Sequence, residues 1–416
     1  MKNILIIYPH WHPANLAGVH RPRLIGNYLP EMGWHPIILT VKPEYYEEKP
    51  DLELQLTFRD HFEVIRVDAF PIPRPRVVGD LGIRAFFQLL KKAKEICKSR
   101  KIDFVWIPVP SYYPALIGRL LYNKFKIPYG IDYIDPWTRS SEAYKDFGIR
   151  MKLSLLTAEW LEPIAVHHAR LISGVSKLYY QPVLDKNFRD RAVLDVAMPY
   201  GFDPNDHEIT LDIPLPWDSI ENCNPFLYAG AFLPNSRFFY ELLFLSIDEL
   251  IKEKKWNPNN HLFFIGTGQY PGKTIKELSE KYNCSYYIHE FRERRPFLHI
   301  LNYLRNAKGI LVIGSTSPHY TASKIFQAIL SKKPIFAIFH NKSTVIDILN
   351  ETKSDHYLVK YVEEQEQTNL KSEIKKVFLD FVNDIKDWAP LYETLNKYSS
   401  KESTRLLVEQ LDKISD

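Results

Sequence analysis

Small polar residues and a lysine follow a short apolar run in the second half of the sequence, where they could bind an anion. The run Gly309–Ile313 leads to Ser315 and Thr316, and a helical pattern starts near Ser323 and Lys324. Free backbone N–H groups and the dipole at a helix start attract phosphate groups. The pattern therefore predicts a diphosphate site, with an ordinary helix cap as the alternative.

Two other loops in the same half carry glycine directly after an apolar run. Gly230 follows one such run, and Gly266 and Gly268 follow the next. Glycine lets a backbone approach a base or phosphate closely, although a plain tight turn needs it equally. Breaking a bond to a diphosphate requires nearby positive charge, for which Arg237 is the first candidate and Lys324 the second. The alternative for each is a solvated surface cation.

The loop after the first apolar run of the chain is rich in histidine and arginine. His10, His12 and His20 have no carboxylate partner close in sequence, so we do not expect a zinc site. Arg21 and Arg23 could contact an acidic group of a substrate. We assign His12 and both arginines to substrate binding.

Three further residues of the first half could contact a substrate. Asp135 follows an apolar run and could accept a hydrogen bond from a substrate hydroxyl or act as a base, with a helix-cap role as the alternative. Tyr112 and Trp137 could stack on a flat ligand face such as that of a sugar, with packing in the core as the alternative.

Several segments resemble, in the same order, the family 4 glycosyltransferases. Ser323–Pro334 is similar to the donor-binding signature of that family, Ser-Lys-Leu-Phe-Glu-Tyr followed by small residues and Gly-Lys-Pro. Phe226–Ala231 and His261–Gly268 resemble the first two strands and glycine turns of its donor domain. Ile131–Trp137 and Ala197–Asp203 resemble segments of its acceptor domain.

The resemblance implies a GT-B fold and a metal-independent transfer that retains the anomeric configuration. It also implies that Gly18 lies close to the donor phosphate. The first half would bind the acceptor through His12, Arg21, Arg23, Tyr112 and Trp137. Gln327 stands where the family usually has a glutamate that binds the ribose hydroxyls, and His319 stands in place of its other frequent glutamate. A glutamine amide can accept one hydrogen bond and donate one, so we keep both residues as donor-binding positions. The two departures also leave room for a catalytically inactive relative.

Short runs rich in Ile, Val and Phe alternate with helical patterns along the whole chain, and the patterns over Pro22–Glu31 and Leu81–Lys98 each predict one helix. Such runs are typical of strands buried on both faces of a parallel sheet, so we predict two Rossmann-like domains. The predicted strands are Asn3–Tyr8, Pro36–Val41, Phe62–Val67, Phe104–Pro108, Tyr129–Tyr133, Leu171–Val175, Val193–Met198, Phe226–Ala229, His261–Ile265, Ser285–Ile288, Gly309–Ile313, Pro334–Ile338 and Tyr357–Val359.

The predicted boundaries give an acceptor domain over 1–205, a linker over 206–224, a donor domain over 225–395 and a final helix over 396–416. We expect this last helix to cross back to the first domain. Because ligands of open parallel sheets bind outside the carboxyl ends of the strands, we expect the site in the cleft between the domains.

The composition is that of a globular protein with one locally basic segment. The chain has 416 residues, 45% hydrophobic and 25% charged, with three cysteines and a net charge of +4. No apolar run approaches the ~18 residues that a membrane span needs. Arg74–Lys101 accounts for the whole excess of positive charge and could contact an anionic membrane, with a solvated helix face as the alternative. No nucleic-acid-binding motif accompanies it.

The sequence therefore predicts a cytosolic transferase, with peripheral binding to the cytoplasmic face of a membrane as an open alternative. It would move a hexose-type sugar from a nucleoside-diphosphate sugar to a glycan or lipid-linked acceptor, without a cofactor or metal. No Gly-x-Gly-x-x-Gly fingerprint follows a predicted strand, which argues against a dehydrogenase. The alternatives are a non-catalytic partner protein of the same fold and a sugar-nucleotide epimerase. The epimerase would need clustered carboxylates and histidines that the sequence does not show.

Overall fold

The chain divides into two compact α/β units. The computed structural model describes residues 1–72, 79–137, 149–316, 324–363, 365–383 and 388–415. Unit 1 comprises Met1–Asp203 and Lys397–Asp416, and unit 2 comprises Pro204–Asn396. Each unit contains one fully parallel sheet with helices between successive strands.

Unit 1 is built on a seven-stranded sheet of order β3-β2-β1-β4-β5-β6-β7. Its strands are β1 (Lys2–Ile7), β2 (Trp34–Val41), β3 (Glu63–Val67), β4 (Phe104–Val109), β5 (Tyr129–Tyr133), β6 (Leu171–Gly174) and β7 (Leu194–Ala197). Its helices are α1 (Ala17–Gly26), α2 (Leu81–Arg84), α3 (Phe86–Ser99), α4 (Ala115–Phe125), α5 (Ile149–Val166), α6 (Lys177–Asn187) and, after unit 2, α13 (Ser400–Ser415).

Unit 2 is built on a six-stranded sheet of order β10-β9-β8-β11-β12-β13. Its strands are β8 (Asn224–Ala229), β9 (Asn260–Ile265), β10 (Ile288–Phe291), β11 (Gly309–Ile313), β12 (Ile335–His340) and β13 (Tyr357–Tyr361). Its helices are α7 (Arg237–Lys252), α8 (Ile275–Ser279), α9 (Phe297–Asn306), α10 (Lys324–Leu330), α11 (Thr344–Glu351) and α12 (Gln367–Asn383).

Apolar strands buried on both faces hold each sheet. In β1, Ile4 and Leu5 are fully buried although they point to opposite faces, because helices cover both sides. Ile4 pairs in register with Pro36 of β2 and Phe104 of β4, so β1 is a central strand. The apolar runs without polar alternation in the sequence are these central strands.

Helix α13 belongs to unit 1 although the chain reaches it only after unit 2, as predicted for a last helix that crosses back. Its Leu407 and Leu411 are fully buried. The Thr404 hydroxyl donates to the carbonyl oxygen of Ile25 at 3.1 Å, and the Ser400 amide donates to that of Phe202 at 2.9 Å. The helix therefore completes the core of the unit.

Three elements differ from the sequence prediction. Helix α1 begins at Ala17, ahead of the predicted start at Pro22, so the proline lies inside the helix. The segment predicted as one helix over Leu81–Lys98 is broken at Ala85 into α2 and α3. Strand β10 begins only at Ile288, because residues 285–287 form a short 3₁₀ helix. Within the described ranges, no helix is both long and apolar enough to cross a bilayer.

Candidate functional site

The loops after β8 and β11 meet at the carboxyl edge of the unit 2 sheet, because these two strands are neighbours. The Gly230 amide donates to the carbonyl oxygen of Ile265 at 2.9 Å, which fixes the turn after β8 against the end of β9. The Thr316 amide donates to the carbonyl oxygen of Asn235 at 3.2 Å. This edge collects most of the residues that the sequence predicts to bind the donor.

Lys324, the first residue of α10, places a cation in this edge. Its Nζ lies 3.9 Å from the centroid of the Tyr228 ring. A Cβ added to Gly230 would lie 3.6 Å from Lys324 Cδ and 3.8 Å from Nζ. Within the described part of the chain, Lys324 forms no ion pair. Although part of the side chain reaches solvent, burial lowers the pKa of the ammonium to about 7.

Arg237, the other predicted cation, is bound to the loop after β9. Its Nη2 donates to the carbonyl oxygens of Pro271 at 3.3 Å and Lys273 at 3.1 Å. The guanidinium also lies 5.6 Å from the centroid of the Phe232 ring. Arg237 thus stabilises this loop, and its predicted contact with a diphosphate stays a prediction.

The two glycines after β9 adopt backbone conformations that other residues rarely take. Their φ angles are 75° at Gly266 and 79° at Gly268, and a Cβ added to either would have no atom within 4 Å. Both amides already donate, Gly266 to the carbonyl oxygen of Phe291 and Gly268 to that of Arg292. The turn therefore leaves open space for a ligand but offers it neither of these N–H groups.

The polar loop after β11 is described only in part. Ser315 is buried, and its carbonyl oxygen accepts a hydrogen bond from the Tyr361 hydroxyl. Thr316 is exposed. Ser323 and His319 lie outside the described residues, so the predicted helix-start phosphate site stays a prediction.

Gln327 is engaged by a histidine that the sequence analysis missed. Its Oε1 lies 2.5 Å from Nε2 of His207, so it accepts a hydrogen bond from the neutral ring. Burial lowers the pKa of His207 to about 4. Arg305 donates to the His207 carbonyl oxygen and to that of Ile209 at 2.6 Å, fixing this segment. The amide NH₂ group of Gln327 is therefore the end suited to a ligand.

In unit 1, Gly18 lies against Tyr8 at the carboxyl end of β1. A Cβ added to Gly18 would lie 1.7 Å from the Tyr8 hydroxyl oxygen, so this close approach requires glycine. Tyr8 is almost fully buried, and burial raises the pKa of its hydroxyl far above the usual value. The structure thus gives Gly18 a packing role, and its predicted contact with the donor phosphate stays a prediction.

Two titratable residues near this edge of unit 1 were not assigned from the sequence to a substrate. His10 Nε2 lies 3.6 Å from Glu48 Oε2, and burial lowers the pKa of His10 although Glu48 opposes that shift. Asp80 caps α2 by accepting from the Ile83 amide at 2.9 Å, and burial raises its pKa. The sequence suggested His10 only as a metal ligand, because its partner Glu48 lies 38 positions away along the chain.

The prediction that Arg21 contacts an acceptor is corrected by its burial. Arg21 is fully buried and forms a bidentate ion pair with Asp132, with N–O distances of 2.9 and 3.2 Å. Its Nη1 donates to the carbonyl oxygen of Pro199 at 2.5 Å. Arg23 is buried too and donates to the carbonyl oxygen of Thr57 at 3.2 Å. Both guanidiniums hold the interior of unit 1 together.

The expected sugar platform of Tyr112 and Trp137 is also corrected. The two rings stack on each other, with centroids 5.2 Å apart and an interplanar angle of 11°. Trp137 is 7% exposed and belongs to the core, and the Tyr112 hydroxyl donates to the carbonyl oxygen of Pro136 at 2.9 Å. The stacked pair therefore stabilises the loop after β5 from its buried side.

The remaining predicted acceptor residues lie at the surface of the unit. Asp135 is partly exposed in the loop after β5, close enough to Tyr8 to raise the pKa of that hydroxyl. His12 Nε2 lies 3.2 Å from the carbonyl oxygen of Leu52, and burial lowers the pKa of this ring. Both stay predicted acceptor ligands. Where side chains are described, no group of three or more His, Cys, Asp or Glu residues could hold a metal ion.

Comparison with known proteins gives the fold. No family model and no curated protein matches the sequence. Among solved structures, sucrose-phosphate synthase from Thermosynechococcus elongatus is 16% identical with a TM-score of 0.56, over 100% of this chain and 95% of that one. HepE from Anabaena in complex with UDP and glucose is 13% identical with a TM-score of 0.57, over 99% and 100%. The trehalose-6-phosphate synthase OtsA is 12% identical with a TM-score of 0.63, over 99% of each chain. With two parallel α/β sheets and this likeness over its full length, the chain has the GT-B fold.

Proposed function

We propose that the chain is a glycosyltransferase that binds a nucleoside-diphosphate sugar on unit 2 and transfers its sugar to an acceptor bound by unit 1. The observation that carries the proposal is the Lys324 ammonium beside Gly230, at the carboxyl end of β8, for which the described residues supply no ion-pair partner. A desolvated cation without a carboxylate partner is costly, and an anionic ligand would offset that cost. The fold supports the proposal, since HepE was solved with UDP and glucose.

In this mechanism Lys324 neutralises the charge that develops on the departing diphosphate, and Arg237 assists if it leaves the loop carbonyls that it now binds. Cationic side chains would thus supply the electrostatic stabilisation without a metal. Asp135 or His10 would contact the acceptor hydroxyl. We keep retention of configuration, a hexose donor and a glycan or lipid-linked acceptor as parts of the proposal, on the strength of the family 4 resemblance.

A thermal-shift screen with UDP, GDP, ADP and their sugars tests donor binding on the full chain. We expect one nucleoside diphosphate to stabilise the protein. Lys324→Met should weaken that ligand roughly tenfold or more, because a charge-assisted contact is worth about 1.5–3 kcal/mol. Lys376→Met is the matched control, since Lys376 is an exposed lysine elsewhere in unit 2. Stabilisation by none of the nucleotides, or equal affinity in the Lys324 variant, would overturn the donor site.

The non-catalytic alternative is favoured by one specific observation. The Gln327 Oε1, which would accept a hydrogen bond from a ribose hydroxyl, already accepts one from His207, so it cannot also accept from both ribose hydroxyls. Slow release of nucleoside diphosphate from the donor sugar without acceptor separates the two functions. An active transferase hydrolyses its donor slowly, whereas a binding protein that has lost activity is stabilised by the nucleotide and releases none.

A further inference from the structure

Five large apolar side chains lie exposed on three consecutive helices of unit 1. The exposed fraction is 78% for Trp160, 69% for Phe87 and 63% for Leu156, with 40% for Ile164 and 38% for Leu120. Single exposed apolar residues are common on protein surfaces, but a group on adjacent helices marks an interaction surface. These residues lie outside the candidate donor and acceptor sites.

The exposed residues of α5 form a stripe on a helix that packs against α4. Leu156, Trp160 and Ile164 are spaced four residues apart, so they share one face of α5. Helix α4 packs along that helix, where Arg119 donates to the carbonyl oxygen of Ile164 at 2.9 Å. Leu120 follows Arg119 on α4 and lies one helical turn before Lys124.

The same surface is basic where α3 approaches α4. A groove of about 390 Å³ between these helices is lined by Phe87, Leu90, Lys91, Lys94, Glu95, Lys98 and Lys124. Glu95 is paired with Lys92 at 2.7 Å, and that contact lowers its pKa. Lys91, Lys98 and Lys124 are exposed, and no carboxylate of the described residues pairs with them. Their charge is therefore available to a partner.

We propose that this α3–α4–α5 surface binds the face of a lipid bilayer that contains anionic lipids. Trp160 and Phe87 suit the boundary between headgroups and acyl chains, and the aliphatic stripe suits the acyl region just below it. The lysines lie at the level of the lipid phosphates, where each contributes about 1 kcal/mol to binding. The proposal extends the basic segment noted in the sequence to a surface of three helices, and it does not depend on sugar transfer.

Charge and shape favour this occupant over two others. A second copy of the chain would place these lysines opposite the same lysines, and such like-charge contacts disfavour association. A nucleic acid would match the lysines and could stack on Phe87 and Trp160, but it would leave the aliphatic Leu156 and Ile164 without an apolar partner. A bilayer satisfies both the charge and the apolar stripe.

Vesicle co-sedimentation of the full chain tests the proposal. We expect binding to vesicles of phosphatidylcholine with about one third phosphatidylglycerol, little binding to phosphatidylcholine alone, and weakening as salt is raised. Lys91→Glu combined with Lys98→Glu should weaken binding roughly tenfold or more. Phe87→Ser combined with Trp160→Ser should also weaken binding to the anionic vesicles severalfold, because both anchors are removed.

Matched controls come from exposed residues elsewhere in the chain. Lys360→Glu with Lys376→Glu reverses two lysines of unit 2, and Leu178→Ser removes an apolar side chain that is 73% exposed on α6. Both controls should bind vesicles as the unchanged protein does, and thermal melts check that all variants fold. Equal binding by the Lys91/Lys98 variant and the parent overturns the proposal. So does a Phe87/Trp160 variant that keeps full binding, in which case competition by single-stranded RNA identifies a general polyanion surface.

Discussion

The unusual environment of Lys324 predicts a pH dependence of stability. Its pKa is lowered to about 7 in the folded chain, whereas a lysine in an unfolded chain has a pKa of about 10.4. Between these values the unfolded chain binds more protons, so the free energy of unfolding should rise with pH through this window on account of Lys324. Denaturant unfolding from about pH 7 to pH 10 should show a smaller rise in Lys324→Met than in the parent.

The control for that measurement is Lys376→Met, which should keep the rise of the parent protein.

The loss of the proton from Lys324 also determines how the affinity for a diphosphate changes with pH. A diphosphate prefers the protonated ammonium, so its affinity should fall as the pH increases above about 7. If the affinity stayed constant across this pH range in both the parent and Lys324→Met, Lys324 would not contact the diphosphate.

Gly268 and Gly33 allow backbone strain to be separated from ligand contact. Their φ angles are 79° and 84°, and a Cβ on either would have no atom within 4 Å. Alanine at each should therefore destabilise its unit by a similar amount, about 1–2 kcal/mol. If the donor approaches the turn after β9, only Gly268→Ala should also reduce nucleotide affinity, as measured by calorimetry. Equal affinity in the two variants would make the glycine turn purely structural.

The contact between Gln327 and His207 predicts the effect of restoring a glutamate. In Gln327→Glu, one carboxylate oxygen can still accept from His207, and the other becomes free to accept from a ribose hydroxyl. We expect nucleotide affinity to increase severalfold and the pKa of His207 to rise from about 4, because a carboxylate favours the charged ring. Calorimetry and NMR titration of the His207 ring measure both effects.

Gln55→Glu, on an exposed residue of unit 1, is the control for added charge. Unchanged affinity in Gln327→Glu, with the His207 pKa raised, would show that residue 327 does not meet the ribose.

At the scale of elements, the strands could be predicted because runs of apolar β-branched and aromatic residues favour buried strands in a globular protein. The start of α1 could not be, since proline is typical of a first helical turn but Pro22 lies inside this helix. The displacement of β10 could not be predicted either, because the 3₁₀ helix over residues 285–287 takes up part of the apolar run.

Some features of the candidate site could likewise be predicted from the sequence, and others could not. The glycine turns at Gly230 and Gly268 could be predicted, since short-range backbone geometry demands glycine there. The His207–Gln327 contact could not, because it joins residues 120 positions apart. Arg21 was misassigned because sequence spacing does not reveal that Asp132 neutralises it inside the unit.

Helix α13 should carry a measurable share of the stability of unit 1. Leu407 is fully buried in the unit, so Leu407→Ala removes apolar contacts and leaves a cavity. The expected loss in the free energy of unfolding is about 2–5 kcal/mol. Leu178→Ala, at a leucine that is 73% exposed in the same unit, should cost far less. Equal losses measured by urea unfolding would mean that α13 does not pack as described.

For the whole molecule, ligand binding should be confined to particular loops of unit 2. Hydrogen exchange on the full chain should slow in 230–237, 266–275 and 324–330 when the stabilising nucleoside diphosphate is added, because bound backbone opens less often. Amides of β1 and β2 in unit 1 serve as the internal reference and should exchange at an unchanged rate. Slowing spread evenly over both units would indicate global stabilisation without a local site.

The return of the chain to unit 1 at Lys397 constrains the order of events during synthesis. A ribosome delivers the seven strands of the first sheet early, but the helix that covers Ile25 emerges only after every residue of unit 2. Until then a nascent unit 1 exposes the apolar surface meant for Leu407 and Leu411, whereas unit 2 is continuous in sequence and can finish first. A product whose synthesis stops before α13 would thus contain a folded unit 2 and an incomplete unit 1 that is prone to aggregate.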